Sequence, residues 1–489
     1  MNHPEQGAGQ SAGVDTRVVV FVAAMASFLT PFMGSAVNVA IPSIGREFAA
    51  DAITLSWISM AYLLAAAMSL VPLGKLADIH GRRKVFLFGM AGYTVMSLLC
   101  SLVNSPSTLI AARALQGFSD AMMFGTSTAI VTSVVPPRER GRALGITVAG
   151  VYSGGALGPF IGGFITHYFG WRCIFYLTAV LGAVVVVAAL WKLKGEWYGA
   201  RGQRLDLVGS GIYALTLLAV MFGLSLLPGA TGYPVIALGL AGLAAFVFWE
   251  GRVAYPVLDV SLFRHNRVFA FSNLAALINY SSTFAITFLL SLYLQYVKGL
   301  DANTAGIVMV SQMAVMAVCS PMAGRLADRI EPRIVSSAGM FLAALGLAQF
   351  AFLDAGSGLP QVVVALVTTG LGFALFSSPN TSAIMGSVDR AYYGVASATT
   401  GAMRLIGQML SMGIAALIID LFVGKVQITP AVYTAFLGAN RFGFLLFASF
   451  CLLGVFASLA RGKVRGQAPA GPPHGAPVGQ RLPDSADSR

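Results

Sequence analysis

One carboxyl group lies in the middle of a long apolar stretch of this chain. Residues 107–134 form an apolar run of helical length, and Asp120 stands near its centre. An ionisable side chain at the middle of a bilayer costs about 2.5 to 3.5 kcal/mol unless a cavity or a partner receives it. A carboxyl group held at that depth can bind and release protons. Asp120 is therefore a candidate carrier of a proton or of another cation.

Two arginines also interrupt apolar runs. Arg113 precedes Asp120 on the same predicted helix. It lies two turns away, roughly 10 Å along the axis, so a direct salt bridge within the helix would be strained. Arg404 stands in a later run, GVASATTGAMRLIGQMLSMG. If both guanidinium groups face one cavity with Asp120, they would tune its proton affinity or bind anionic groups of a cargo.

Amide side chains, together with the run 280–283, are the remaining polar groups at plausible membrane depth, and Asn380 is one of the amides. We take three of them as candidate ligands, namely Asn38, Asn279 and Gln312. A buried amide in a membrane helix is more often an interhelical hydrogen bond than a substrate ligand, and both interpretations stay open for each.

The strings that mark common enzyme chemistry are missing from the sequence. It has no G-x-x-x-x-G-K-[ST] phosphate loop, no H-E-x-x-H and no G-x-S-x-G, and none of its five histidines falls in the middle of an apolar run. The four cysteines stand far apart along the chain. We predict that the protein is not an enzyme and has neither a metal site nor a cofactor.

Composition identifies the solvent of most side chains. With 57% apolar and 10% charged residues among 489, the chain cannot be divided into a buried core and a wetted surface, so it must lie in lipid. About fourteen apolar runs are long enough to cross a bilayer. The lysines and arginines that give the net charge of +12 are concentrated in alternate predicted loops instead of forming one patch. This positive-inside pattern places both termini in the cytoplasm and gives no support to a nucleic-acid partner.

A loop string occurs twice and divides the chain. GKLADIHGRRK at 74–84 and GRLADRIEPR at 324–333 each follow the second apolar run of a group. The repeat predicts two related six-helix bundles, 17–192 and 268–460, joined by a linker with two extra transmembrane helices at 193–267. Residues 1–16 and 461–489 are rich in small and polar residues, so we expect disordered tails.

The loop string combines residues that could fasten helix ends together. Its glycines permit close approach of helices, and Asp78 can engage arginines and the positive N-terminal end of a neighbouring helix. Positive-inside charge alone would not explain the positions of the glycines and the aspartate.

A glycine string predicts a second close contact between helices. In GVYSGGALGPFIGG, glycines spaced by four leave one helix face bare, and the Gly-Pro pair permits a kink. The residues of this string are Gly150, Gly154, Gly158, Pro159, Gly162 and Gly163.

Together these strings resemble the major facilitator superfamily and, within it, the fourteen-span drug:proton antiporters. The loop string is similar to G-x-L-a-D-r-x-G-r-r, the glycine string to G-x-x-x-G-P-x-x-G-G, RALQGFSDAMMFG to R-x-x-Q-G, and MGSAVNVAIP to D-x-T-x-V-N-V-A-x-P. The resemblance covers nearly the whole chain between Arg17 and Arg461. It implies an all-α membrane protein with two six-helix bundles around a central cavity and two extra transmembrane helices.

The resemblance also implies roles for particular residues. In that family the loop network holds the cytoplasmic gate shut in the outward-facing state, and the glycine string accompanies antiport. The gating role carries over to Gly74, Asp78, Gly81, Arg82, Arg83, Gly324 and Asp328.

Four positions depart from the family pattern, and one of them is Gly125, which stands where a proline is usual. Ile79 replaces the usual arginine of the loop, and Asp120 stands where small residues are usual. Met33 occupies the place of the acid that binds the proton in the first helix. Either Asp120 has taken over the proton site, or the protein is not proton-coupled in the family's manner.

The sequence therefore predicts a secondary active transporter of the bacterial inner membrane, acting as a monomer. Its partners would be a small-molecule substrate, protons and the lipid bilayer. We expect export of amphipathic or cationic organic compounds, as in multidrug efflux and antibiotic resistance, by rocking of the bundles around a midplane site. The alternative is a dedicated exporter of an anionic metabolite on the same fold, because two arginines accompany one buried acid.

Overall fold

The structure is a computed structural model, and it describes residues 16–136, 139–389 and 393–462. The regular elements of this part of the chain are helices. They are α1 (Thr16–Phe48), α2 (Ala52–His80), α3 (Arg82–Leu102), α4 (Pro106–Val134), α5 (Arg140–Phe169), α6 (Arg172–Lys192), α7 (Leu207–Leu226), α8 (Gly232–Glu250), α9 (Ser261–His265), α10 (Arg267–Thr283), α11 (Ala285–Leu292), α12 (Ala302–Arg329), α13 (Pro332–Ala351), α14 (Leu359–Gly386), α15 (Tyr393–Phe422) and α16 (Tyr433–Ala460).

Short acidic or amide side chains fix where several helices begin. The carboxylate of Asp51 accepts the N–H groups of Ile53 and Thr54, both at 2.9 Å, and so caps α2. At the start of α12, Asp301 accepts from the N–H of Thr304 at 2.9 Å, and this bond holds the pKa of the aspartate below its usual value. Because these capping residues lie between the apolar runs, the start of each of these helices can be predicted from the neighbouring sequence.

Thirteen stretches of this structure are long and apolar enough to cross a membrane. One of them, Arg267–Val297, combines α10, α11 and a π-helical turn at Tyr293–Val297. α4 has 29 residues and is also long enough to cross a membrane, but its charged and hydroxyl side chains make it less apolar than those stretches. These helices confirm the prediction of an all-α membrane protein. It has thirteen apolar spans and, in addition, the less apolar helix α4.

The helices pack in two groups. α4 lies against α1, α2 and α3, while α1 also packs on α5 and α6. In the second group α14 packs on α12 and α13, and α10 packs on α15 and α16. The groups meet through α5 with α12 and through α2 with α15. The predicted boundaries of the two bundles and of the linker remain a prediction.

The hairpin formed by α7 and α8 touches both groups. On the side of α2, the hydroxyl of Tyr213 donates to the carbonyl of Ala67 at 3.1 Å. On the side of α15, Met221 packs against Gly413. α7 therefore bridges the seam between α2 and α15, whereas α8 is mostly exposed.

Residues 1–15 and 463–489, which include most of both predicted tails, lie outside the described residues. Arg461 is described and is fully buried after α16, where its guanidinium donates to Asn380 at 2.7 Å and to Ser336 at 3.0 Å. Burial lowers the pKa of Arg461 to about 10, which leaves the group charged at neutral pH. The end of α16 is thereby tied to α13 and α14.

Candidate functional site

Asp120 lies in the centre of the helical bundle, and 1% of its surface is exposed. The hydroxyl of Thr30 on α1 donates to its carboxylate at 2.5 Å. Neither Arg113 nor Arg404 forms an ion pair with it within 4.0 Å, in the part of the chain that the structure describes. The hydroxyl of Thr30 thus ties the carboxyl group of α4 to α1, and the phenol of Tyr62 on α2 also faces this carboxyl group.

Arg113 is bound to other partners on α2 and α4. Its Nε donates to the carbonyl of Ile58 at 3.2 Å, and its guanidinium lies 4.2 Å from the ring centre of Tyr62 and also donates to Gln116. Gln116 donates in turn to Ser97 on α3 at 2.7 Å. Arg113 therefore joins helices of the first group, although its charge acts on Asp120.

Arg404 approaches the same centre from the second group. Its guanidinium lies 4.5 Å from the ring centre of Phe124, one helical turn beyond Asp120 on α4. Its Nε is buried without a hydrogen-bond partner. The charge of Arg404 acts on Asp120 and on Tyr280 of α10. The structure thus brings together an acid from the first group and a cation from the second.

Aromatic and hydroxyl side chains complete this centre, and of these the sequence indicated only Tyr280, as a polar group at membrane depth. The hydroxyl groups of Tyr152 on α5 and Ser377 on α14 are 3.1 Å apart, which joins the two groups of helices. The ring of Tyr280 stands edge-on to Phe373, with ring centres 5.5 Å apart. Such residues are common in membrane helices, so their types and spacing carried no signal.

The three candidate amides have different surroundings. Asn38 accepts a hydrogen bond from Ser59 at 2.7 Å, which is an interhelical bond between α1 and α2. Asn279 is fully buried on α10, and neither atom of its amide has a partner. Gln312 is buried on α12, where Gly370 of α14 packs against its backbone carbonyl. Of the three, only Asn38 has a bond that accounts for it.

The first loop motif connects three parts of the chain at one end of the bundle. Arg82 donates to Asp78 at 2.7 Å and to Ser133 of α4 at 2.6 Å. Gly81 turns the chain with a φ of +117°, a conformation that glycine adopts without strain. The N–H of Arg83 donates to Glu196, beyond α6, at 2.7 Å.

The segment after α6 is an unexpected partner of this motif. The N–H groups of Gly199 and Ala200 donate to the backbone carbonyl of Asp78 at 3.0 and 2.9 Å. Among the remaining motif residues, Gly74 has open space where a Cβ would stand. In the second motif, a Cβ added at Gly324 would lie 3.0 Å from the hydroxyl of Ser378, and Asp328 lies in the last turn of α12.

The glycine string uses two faces of α5. Gly150, Gly154, Gly158 and Gly162 pack against the backbone and small side chains of α1, so a Cβ at any of them would clash. On another face, Gly163 packs on the carbonyl of Ala302, and the carbonyl of Pro159 packs on Gly306. Because α12 belongs to the second group, this second face joins the two groups at the end opposite the loop motifs.

We predict that Gly163→Ala weakens this contact between α5 and α12. The added methyl group would meet the carbonyl of Ala302, and overpacking of this kind costs about 1 to 3 kcal/mol. This cost lowers the population of the state in which α5 and α12 make the contact by about fivefold or more. Gly145→Ala on the same helix is the matched control, because nothing lies within 4 Å of the added atom. Transport should fall severalfold in the first variant only, and equal transport by both would contradict the contact's role.

Comparisons with known proteins agree with this architecture. The model of the Major Facilitator Superfamily matches residues 23–196 and 273–482. The riboflavin transporter RibZ of Clostridioides difficile is 30% identical, over 76% of this chain and 81% of that protein. The multidrug resistance protein Stp of Mycobacterium tuberculosis is 32% identical, over 77% and 71%. The cephamycin export protein CmcT of Amycolatopsis lactamdurans is 32% identical, over 83% and 86%.

Solved structures share the fold at low sequence identity. A bacterial homologue of the human lysosomal transporter Spinster, in an inward-facing and unoccupied conformation, superposes with a TM-score of 0.66 at 18% identity. The alignment covers 91% of this chain and 97% of that one. A peptide transporter, POT, in complex with sulfate gives a TM-score of 0.65 at 17% identity, over 91% and 96%.

Proposed function

The chain belongs to the Major Facilitator Superfamily, and we propose that it exports small amphipathic or cationic organic molecules in exchange for protons. The observation that carries this proposal is the meeting of Asp120 and Arg404, from the two groups of helices, in the middle of the bundle. A site built from both groups is exposed to one side of the membrane or the other as the groups rock. One relative, CmcT, is a cephamycin export protein and another, Stp, is a multidrug resistance protein, and both names support an organic cargo.

Asp120 is the proposed proton carrier. Its partner Thr30 lies one helical turn before Met33, which stands where the family's first helix usually carries its acid. The carboxyl group of α4 therefore reaches the neighbourhood that the missing acid would occupy. This placement favours the interpretation that Asp120 has taken over the proton site.

The loop motifs form the proposed gate on the cytoplasmic side. At the opposite end the two groups are joined by the bond from Gln427 to the carbonyl of Ala49 at 2.7 Å and by the 3.6 Å contact of His167 with Asp301. We infer that the described conformation is closed at that outer end. In the outward-facing state, the inner end would close instead, with the first loop motif held in position for that closure by the contacts of Asp78 and Arg82 within the first group.

We further propose fourteen spans, with α4 as the span that adds to the thirteen apolar ones, in a monomer of the bacterial inner membrane. An even number of spans puts both termini on the same side of the membrane, and the positive-inside pattern makes that side the cytoplasm. A reporter fused at either end should be active there, and one inserted at Gly229, between α7 and α8, should be active outside. An active C-terminal reporter on the outside would contradict the span count.

A dedicated exporter of an anionic metabolite is the second candidate. It is favoured by Arg404, whose Nε lacks a partner and whose guanidinium faces the centre over Phe124. Transport by proteoliposomes of matched cationic and anionic dyes under an imposed pH gradient distinguishes the two. Movement of the cationic dyes supports the first candidate, and movement of the anionic dyes alone supports the second.

A further inference from the structure

The hairpin of α7 and α8 brings two carboxyl groups together beside the first loop motif. Asp206 caps α7, since its Oδ1 accepts from the N–H of Gly209 at 2.9 Å, while its Oδ2 accepts from the indole N–H of Trp249 at 2.8 Å. Glu250 ends α8 and is 3% exposed. Its Oε2 accepts from the N–H of Leu258 at 2.9 Å. Each carboxyl group thus has one oxygen fixed by the backbone.

The other oxygen of Glu250 has no hydrogen-bond partner although it is buried. This Oε1 and the Oδ2 of Asp206 both point at Gly209, so closely that a Cβ at Gly209 would clash with each of them. Glu250 is buried and Asp206 is half-buried, so two ionised carboxylates here would repel each other, and that of Glu250 would also lose hydration. One proton between them removes both costs and provides the missing hydrogen bond.

We propose that Glu250 and Asp206 share one proton, as a second proton-binding site separate from Asp120. A proton taken from water at the loop-motif end converts the carboxylate of Glu250 to the acid. The new O–H at Oε1 then donates to Oδ2 of Asp206, which stays ionised. Release of the proton to the same water restores two negative charges.

A proton fits this site better than a metal ion does. The charged groups that act on Glu250 in the described chain are Asp206 and Lys75 of α2. The ammonium of Lys75 would repel a bound cation. In addition, the Oδ2 of Asp206 already accepts from Trp249, which leaves few oxygens free for coordination.

The pair is placed to influence the loop motif. Lys75 belongs to that motif, and its ammonium donates to Gln203 at 2.7 Å, three residues before Asp206. Lys75 is attracted by both Asp78 and Glu250, so when the shared proton leaves, the added negative charge shifts the ammonium away from Gln203 and toward the pair. The proton therefore sets how firmly the end of α2 is attached to the hairpin that bridges both groups of helices.

Infrared difference spectroscopy of the full-length protein in lipid nanodiscs tests the shared proton directly. At neutral pH the wild type should show the C=O band of a protonated carboxylic acid, and Glu250→Gln, which is isosteric, should lose that band. Asp120→Asn and the exposed-loop control Asp354→Asn should keep it. A spectrum of Glu250→Gln that retains every protonated-carboxyl band of the wild type would overturn the proposal.

Asp206→Asn provides a second test if Glu250→Gln does not fold. The asparagine oxygen still caps α7, but the acceptor of the Glu250 O–H changes from a carboxylate to a neutral amide. The C=O band of Glu250 should therefore shift, and an unshifted band would count against the pair. Cargo transport by the wild type without proton movement, with the Glu250 band intact, would refute the proposed function and leave this inference standing.

Discussion

Replacing Asp120 with asparagine should abolish transport driven by a pH gradient while leaving the protein folded. The amide oxygen of asparagine can still accept the hydroxyl of Thr30, so the contact between α4 and α1 persists. The amide cannot bind and release a proton at neutral pH, so the exchange of cargo for protons stops. Uptake of cargo by inverted vesicles under an imposed pH gradient should fall to background.

Two measurements separate loss of coupling from loss of fold. Binding of an uncharged or dye-like cargo should survive in Asp120→Asn, since the aromatic centre is unchanged. Ser119→Ala is the matched control on α4, because the hydroxyl of Ser119 bonds only to the preceding turn of its own helix. If Asp120→Asn keeps full pH-driven transport, Asp120 is a tolerated packing residue and the coupling site lies elsewhere.

Asp78→Asn should remove most transport while membrane insertion remains normal. The substitution takes away the charge that holds the guanidinium of Arg82, whose other contact fastens α4. The backbone carbonyl of residue 78 still accepts the N–H groups of Gly199 and Ala200, so the local fold is retained. The closed gate is then less stable, and a loss of about 1.4 kcal/mol lowers the population of its closed form about tenfold. Initial transport rates in proteoliposomes should therefore fall by at least about tenfold.

Asp51→Asn is the matched control for the loop motif. Asp51 caps the opposite end of α2, and asparagine caps helices about as well as aspartate does. That variant should transport like the wild type. Equal rates for Asp78→Asn and Asp51→Asn, at equal amounts of protein in the membrane, would rule out the gating role.

Elements with local signals could be predicted closely. The apolar runs at 206–227 and 233–250 correspond to α7 and α8, because caps and turn residues bound them on both sides. The glycine string likewise indicated a bare helix face, and the backbone of α1 packs on it. The sequence pattern could not show the second face of α5, since its partner, α12, lies more than a hundred residues further along the chain.

Features that depend on distant partners could not be predicted. The run 268–297 reads as one helix, whereas the structure divides it at Phe284, and the hydroxyl of Ser411 on α15 accepts the N–H of Ala285 at 3.0 Å. Polarity assigns Arg461 to a tail, yet its guanidinium is buried against α13 and α14. The central site combines Asp120 with Thr30 and Arg404, and no spacing along the sequence connects those three residues.

Proton movement caused by cargo is the most direct test of exchange at the central site. Purified protein is reconstituted in liposomes that contain a pH-sensitive dye, and cargo is added without an imposed gradient. We predict that the wild type moves protons in the direction opposite to the cargo and that Asp120→Asn does not. Cargo transport by the wild type with no accompanying proton movement, unchanged when a protonophore is added, would contradict proton-coupled export.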